Sequence, residues 1–119
     1  MPAIHHVNVN VPRGRSELIG AFYCDVLGFA RIPRPDNGRE GIWLDMGDGT
    51  QLHLSERDDA PNSQPHFALV LDDFDAVRTR LADAGAEFQA AEDIFGTGGR
   101  AFTRDPAGNR IELIARAGG

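Results

Sequence analysis

The feature that most constrains this chain is that it can be laid over itself. Each half reads as strand, helix, strand, strand, turn, strand, and a repeat of this length means one supersecondary unit used twice. The first copy opens on IHHVNVNV, Ile4 to Val11, which alternates strictly. Val7, Val9 and Val11 line one face and His6, Asn8 and Asn10 the other, the period of a strand with two different faces. The second copy opens at Pro65 to Asp72, where Phe67, Leu69 and Leu71 lie opposite His66, Ala68 and Val70.

The elements that follow correspond in order. Ser16 is placed to cap a helix to about Leu27, with Leu18, Phe22 and Val26 as its apolar stripe and Gly28 as its stop. In the second copy Asp73 is the expected N-cap of a helix through Ala84, with Phe74, Val77, Leu81 and Ala84 as the stripe and Gly85 as the stop. Strands are expected over Phe29 to Arg34, Gly41 to Met46 and Thr50 to Ser55, the last two joined by a Gly47-Asp48-Gly49 turn. Their counterparts are Glu87 to Ala91 and the closing hairpin Ala101 to Ala115, which turns at Asp105, Pro106, Gly108 and Asn109. Proline presets φ there, and glycine and asparagine tolerate left-handed geometry. The expected fold is therefore α+β, two βαβββ modules in tandem within one domain of residues 1–119. The first module runs to about 56, a polar linker covers about 57–64, and the second spans about 65–119.

Superposing the copies turns single residues into pairs. His6 and His66 are 60 positions apart at the same place in the two opening strands. Gly49 and Gly108 align the last strands, which puts His53 over Glu112 and Trp43 over Phe102, each 59 apart. In all four of His6, His53, His66 and Glu112 the side chain lies on the face away from the helix. A carboxylate on a covered sheet face is costly unless paired or bound to a cation. If the two sheets face each other, three imidazoles and one carboxylate converge. That is a donor set for one divalent metal per site, with Fe, Zn, Ni, Co and Mn all compatible. Glu112 and His53 are also the candidates for moving a proton, which asks a raised or tunable pKa of Glu112. Each residue has a plainer reading: a strand histidine is most often hydrogen-bonded or exposed. His5, on the Val7 side, is read as structural or edge-exposed. Asn8 and Asn10 either hold a ligand, contact substrate or are solvated at a sheet edge. Trp43 and Phe102 either line a pocket or pack in the core. Arg100, Arg104 and Arg110 are read as solvated charges.

Composition closes off other functions. The chain has 119 residues, 41% of them hydrophobic, and a formal charge of −6 with no basic block. Nucleic acid and anionic membranes are poor partners for such a surface. No apolar run reaches the roughly 18 residues of a membrane span. No signal peptide opens the chain, and the lone Cys24 suits a reducing cytoplasm.

The segments IHHVNVNV, AFYCDVLGF, GDGTQLHLS, HFALVLDDFDAVRTRLADAGAEF and FTRDPAGNRIELI together resemble the vicinal oxygen chelate superfamily. Its members include glyoxalase I, methylmalonyl-CoA epimerase, fosfomycin-resistance proteins, extradiol dioxygenases and bleomycin-binding proteins. The resemblance covers nearly the whole chain. It implies the glyoxalase/bleomycin resistance/dioxygenase fold, each module a half-cup of mixed sheet with one helix outside. It also places the family's metal positions on His6, His53, His66 and Glu112, and implies a homodimer whose sites are shared between subunits. Two departures bear on activity. Glyoxalase I relatives usually carry Glu where His53 stands, and epimerases Gln, so standard glyoxalase I chemistry is disfavoured. The chain has no lysine for a phosphonate. Two readings follow. The first is a metal-dependent enzyme, glyoxalase-like isomerase or lyase or dioxygenase-like, that chelates vicinal oxygens of a small substrate. The second is a bleomycin-resistance-type protein that sequesters an antibiotic without chemistry.

Overall fold

The computed structural model describes residues 4–36, 38, 40–58 and 66–117. The chain divides into two compact units, Met1–Asn62 and Ser63–Gly119. The first contains β1 (His6–Pro12), α1 (Ser16–Leu27), β2 (Ala30–Ile32), β3 (Gly41–Asp45) and β4 (Gln51–Arg57). The second contains β5 (His66–Leu71), α2 (Phe74–Asp83), β6 (Gln89–Ala90), β7 (Arg100–Arg104) and β8 (Arg110–Ala115). Each unit forms a four-stranded mixed sheet, ordered β1-β4-β3-β2 in one and β5-β8-β7-β6 in the other. The opening strand runs parallel to the closing one, and the remaining pairs are antiparallel. The fold is thus α+β, a βαβββ module used twice. Arg57, the expected start of the linker, is the last residue of β4, and residues 59–64 lie outside the described residues. Among the described residues no helix is long and apolar enough to cross a membrane.

In the first unit the core is Val11, Ile19, Tyr23, Val26, Leu27, Phe29, Ile42, Leu44, Leu52 and Leu54. Of the expected α1 stripe Val26 is buried and Phe22 half-buried, and the rest of the buried face is shifted by one residue. Ile19, Tyr23, Val26 and Leu27 face the sheet, while Leu18 is 56% exposed. A shift of one position turns a helix by about 100°, and Leu18 and Ile19 are equally apolar, so hydrophobicity alone does not choose between them. Gly20 helps decide it. A Cβ there would lie 2.1 Å from Ile42 Cδ1, so the bare glycine lets α1 approach β3 closely. The helix stops at Gly28, whose φ of 79° is left-handed, as expected.

The second unit buries Val77, Leu81, Ala101, Thr103, Ile111 and Leu113. Of the expected α2 stripe, Val77 and Leu81 are buried, Phe74 is half-buried and Ala84 is exposed. At its C-terminus the Gly85 N–H donates to Ala82 O and the Ala86 N–H to Leu81 O. These two bonds with a left-handed glycine (φ 70°) form a Schellman ending.

Neither Ser16 nor Asp73 makes a side-chain capping bond, although Asp73 does occupy the expected N-cap position. Ser16 is the first helical residue of α1, and its hydroxyl donates to Glu56 Oε2 at 2.6 Å, tying α1 to β4. Asp73 stands at the N-cap of α2, but its carboxylate accepts from Arg80 Nη2 at 3.0 Å instead. A longer-range partner outcompetes the local backbone donor in both places. The closing hairpin is held by Asp105. Its Oδ1 accepts the N–H groups of Ala107 (2.8 Å) and Asn109 (2.9 Å), and its Oδ2 accepts Asn109 Nδ2 at 2.8 Å. Gly108 carries the left-handed φ, 91°, while no non-glycine residue among those described has positive φ. Asn109 therefore contributes its amide, not left-handed geometry.

Candidate functional site

The pairing registers of the two sheets repeat residue for residue. His53 stands between Asn8 on β1 and Trp43 on β3. Glu112 stands between Ala68 on β5 and Phe102 on β7. His53 and Glu112 are therefore one position in two copies, with Trp43 and Phe102 as the matching neighbours. His6 and His66 open the equivalent strands, each one diagonal step away from that position.

In the first unit the His53 ring is stacked between two others. Trp43 lies 4.0 Å away at 3° and His6 4.1 Å away at 13°. His53 is only 7% exposed, whereas His6 is exposed. Its Nε2–H donates to Gln51 Oε1 at 2.9 Å, which leaves Nδ1 as the ring nitrogen with a lone pair. Burial first, then the neighbouring His6, His5 and Arg34, push the His53 pKa down to about 4. His53 is neutral at pH 7, the form in which imidazole ligates a metal. His5 is exposed and its Nδ1 lies 3.0 Å from His6 Nδ1, so one of the two imidazoles donates to the other. Asn8 accepts the Ser55 hydroxyl at 2.5 Å and reaches Asn10 at 3.4 Å.

In the second unit both oxygens of the Glu112 carboxylate are engaged. Oε1 accepts from His66 Nε2 at 3.1 Å and Oε2 from Arg100 Nε at 2.8 Å. The Glu112 side chain is 8% exposed and that of Arg100 16%. Burial alone pushes the Glu112 pKa up, but Arg100 and then His66 outweigh it and hold the group below its ordinary value. Of the raised or tunable pKa asked of Glu112, the raised alternative is not met, because a guanidinium shares its face. Arg100 is likewise not a solvated charge. It also reaches Glu92 O at 3.2 Å and lies over Phe102 at 4.9 Å. Sequence did carry a signal for it: on an antiparallel partner strand, position 100 falls on the Glu112 face, two residues from Phe102. Arg104 donates to Gly108 O at 3.0 Å. Phe102 has His66 edge-on at 5.8 Å and a second guanidinium, that of Arg110, 3.8 Å over its ring. Trp43 and Phe102 are half-buried and stand on the polar face, not in the core.

The structure thus joins His6 to His53 and His66 to Glu112, one pair in each unit. Among the described residues no group of three or more His, Cys, Asp or Glu side chains is gathered that could hold a metal ion.

Comparison with known proteins fits this architecture. The profile of the Glyoxalase/Bleomycin resistance protein/Dioxygenase superfamily matches residues 3–113, and the chain belongs to that superfamily. No curated protein matches the sequence. Among solved structures, a glyoxalase family protein from Bacillus anthracis is 28% identical with a TM-score of 0.85, covering 98% of this chain and 96% of that one. TnmS3, an antibiotic binding protein from a Streptomyces species, is 23% identical with a TM-score of 0.78 and 98% coverage of both chains. A variant of the fosfomycin resistance protein FosX from Listeria monocytogenes, complexed with Mn(II) and 1S,2S-dihydroxypropylphosphonic acid, is 16% identical. Its TM-score is 0.82, with 98% of this chain and 94% of that one covered. The last two, at these identities, share the fold.

Proposed function

We propose that the protein is a metal-dependent enzyme acting on a small substrate through two neighbouring oxygens, of the isomerase/lyase or dioxygenase kind. His6 and His53 from the first module, with His66 and Glu112 from the second, form the donor set for one divalent cation. The observation that carries this reading is the equivalence of His53 and Glu112 in the two sheets, each with a histidine one diagonal step away. The donor chemistry fits: His53 is neutral and Glu112 anionic at pH 7, and a three-nitrogen, one-oxygen set suits Fe, Zn, Ni, Co or Mn. The FosX relative with Mn(II) is consistent with it.

When bound, such a cation supplies Lewis-acid stabilisation of negative charge on substrate oxygen. The chain's own residues do the rest. Glu112 is the one carboxylate of the set and so the group placed to take a proton from substrate; the Arg100 ion pair that lowers its pKa has to loosen for it to act as a base. Arg100 fixes its orientation through Oε2, and Trp43 holds the His53 ring plane from one side. The sites are shared between the two subunits of a homodimer, so that a first module of one copy completes the second module of the other.

Elemental analysis of the purified protein is the test. One divalent metal per chain is expected, and His66→Ala should remove most of it; an unchanged metal content in His66→Ala overturns the donor set. Sharing between subunits is read by mixing His53→Ala with His66→Ala chains after partial denaturation. A shared arrangement restores one intact site per mixed dimer, and a within-chain arrangement restores none. A second reading, antibiotic sequestration, draws on the Glu112 carboxylate, whose two oxygens already have partners, and on the flat Trp43–His53–His6 stack. It predicts metal-free protein that takes up neither Mn(II), Fe(II) nor Zn(II) yet binds planar aromatic antibiotics tightly.

A further inference from the structure

The duplication provides an internal control for the second module's polar face. Arg100, Arg104 and Arg110 fall at the positions held in the first module by Gly41, Asp45 and Gln51, each 59 residues earlier. The register confirms it: Gly41 pairs with Ser55 as Arg100 pairs with Ile114, and His6 pairs with Gln51 as His66 pairs with Arg110. Three guanidiniums have thus been placed on one sheet face of a chain whose net charge is −6.

Two of them are accounted for. Arg100 neutralises Glu112 at 2.8 Å, and Arg104 donates to the Gly108 carbonyl and has Glu87 at 3.8 Å. Arg110 is different. Among the described residues it has no carboxylate within ion-pair distance, and its guanidinium carbon lies over the Phe102 ring, 3.8 Å from the ring centre. It is half-buried, next to His66 in the register. An aromatic shelf restrains the guanidinium's position without using its donors, which are left for a ligand. With Glu112 already paired to Arg100, Arg110 leaves a surplus positive charge beside the His66–Glu112 pair.

We infer that Arg110, held on Phe102, is an anion-binding residue, and that the small molecule this face takes carries a carboxylate or a comparable planar or tetrahedral oxyanion. The inference rests on the proposed site for its location and adds a substrate class to it: an anionic compound whose charged group sits at Arg110. The guanidinium fork offers such a group two parallel N–H donors.

The probe is benzoate against its neutral analogue benzamide, titrated by calorimetry or ligand-observed NMR, with protein as purified and again after metal chelation. Wild-type protein should bind benzoate in preference to benzamide, and the preference should weaken with added NaCl. Arg110→Gln should lower benzoate affinity about tenfold and leave benzamide unchanged. Arg110→Lys, which keeps the charge but loses the fork, should fall between. Circular dichroism of both variants confirms that they fold. Equal affinity for the two probes in wild-type protein, no saturable benzoate binding at all, or benzoate binding untouched in Arg110→Gln would each overturn the inference. The metal reading fails separately. If Arg110-dependent benzoate preference persists in a protein that takes up no metal, the anion site stands and the metal site does not.

Discussion

Replacing Arg100 by Met tests how the buried Glu112 carboxylate is tolerated. The two side chains are 16% and 8% exposed and 2.8 Å apart. At an effective dielectric near 20, the gross Coulomb attraction at that distance is about 6 kcal/mol, much of it offset by desolvation of both ions. Removing one partner of a buried pair typically costs about 3–5 kcal/mol, since the remaining charge is left uncompensated. Arg100 keeps some solvent contact and His66 still donates to Oε1, so the lower end applies. Arg100→Met should therefore lose about 3 kcal/mol at pH 7, a drop of order 10 °C in Tm. The double variant Arg100→Met with Glu112→Gln should recover most of it, because no buried charge remains. The pH dependence carries the sign. In wild-type protein the Glu112 pKa is lowered, so its contribution is present above the unfolded pKa and is lost as pH falls through the lower folded value. Without Arg100 the largest causes that lower the Glu112 pKa are gone, so the folded value rises above that of the wild type and the loss shrinks on acidification. Urea unfolding of chelated protein at several pH values between 7 and 4 reads both effects. A loss below about 0.5 kcal/mol, or a loss that does not shrink towards pH 4, refutes the argument that Arg100 is what keeps Glu112 ionised.

Three further outcomes follow from local geometry. By proton NMR of the chelated protein, one imidazole, that of His53, should stay neutral down to about pH 4. Its folded pKa lies below the unfolded value, so the unfolded chain binds the proton first and stability falls as pH drops through that window; a His53→Gln variant should lose this component, and titration of every histidine near its ordinary value would contradict it. Gly41→Ala should destabilise or misregister β3, because a Cβ there would lie 2.2 Å from the Leu54 carbonyl oxygen on β4; an unfolding midpoint within error of wild type would show that the strands shift freely. Asp105→Ala should cost about 2–3 kcal/mol by leaving the Ala107 and Asn109 N–H groups without their acceptor, measured by urea unfolding, and a loss under 0.5 kcal/mol would mean that the turn does not depend on its carboxylate.

Where the chain states a period, the reading from sequence and the structure agree. The alternation of β1 and β5, the left-handed glycines at 28 and 85, and the Trp43–His53 and Phe102–Glu112 correspondences all follow from local rules applied twice. Disagreement begins where two local choices are nearly equal in energy. Leu18 and Ile19 are interchangeable as apolar residues, and the fit of Gly20 against Ile42 helps select the face of α1. Ser16 and Asp73 are both good caps, yet each finds a partner from another part of the chain, Glu56 for one and Arg80 a full two turns along for the other.

The candidate site divides along the same line. Periodicity and duplication, which are properties of the one-dimensional string, determine the βαβββ order, the repeat, and which histidines and carboxylate share a sheet face. Ionisation does not reside in the string. Arg100 and Glu112 are twelve positions apart and become a buried pair only when β7 and β8 lie antiparallel. The His53 pKa falls to about 4 only when its strand is covered and His6, His5 and Arg34 come to lie near its ring. A pKa depends on what surrounds a group in three dimensions, so the shifts at His53 and Glu112 were decided by packing.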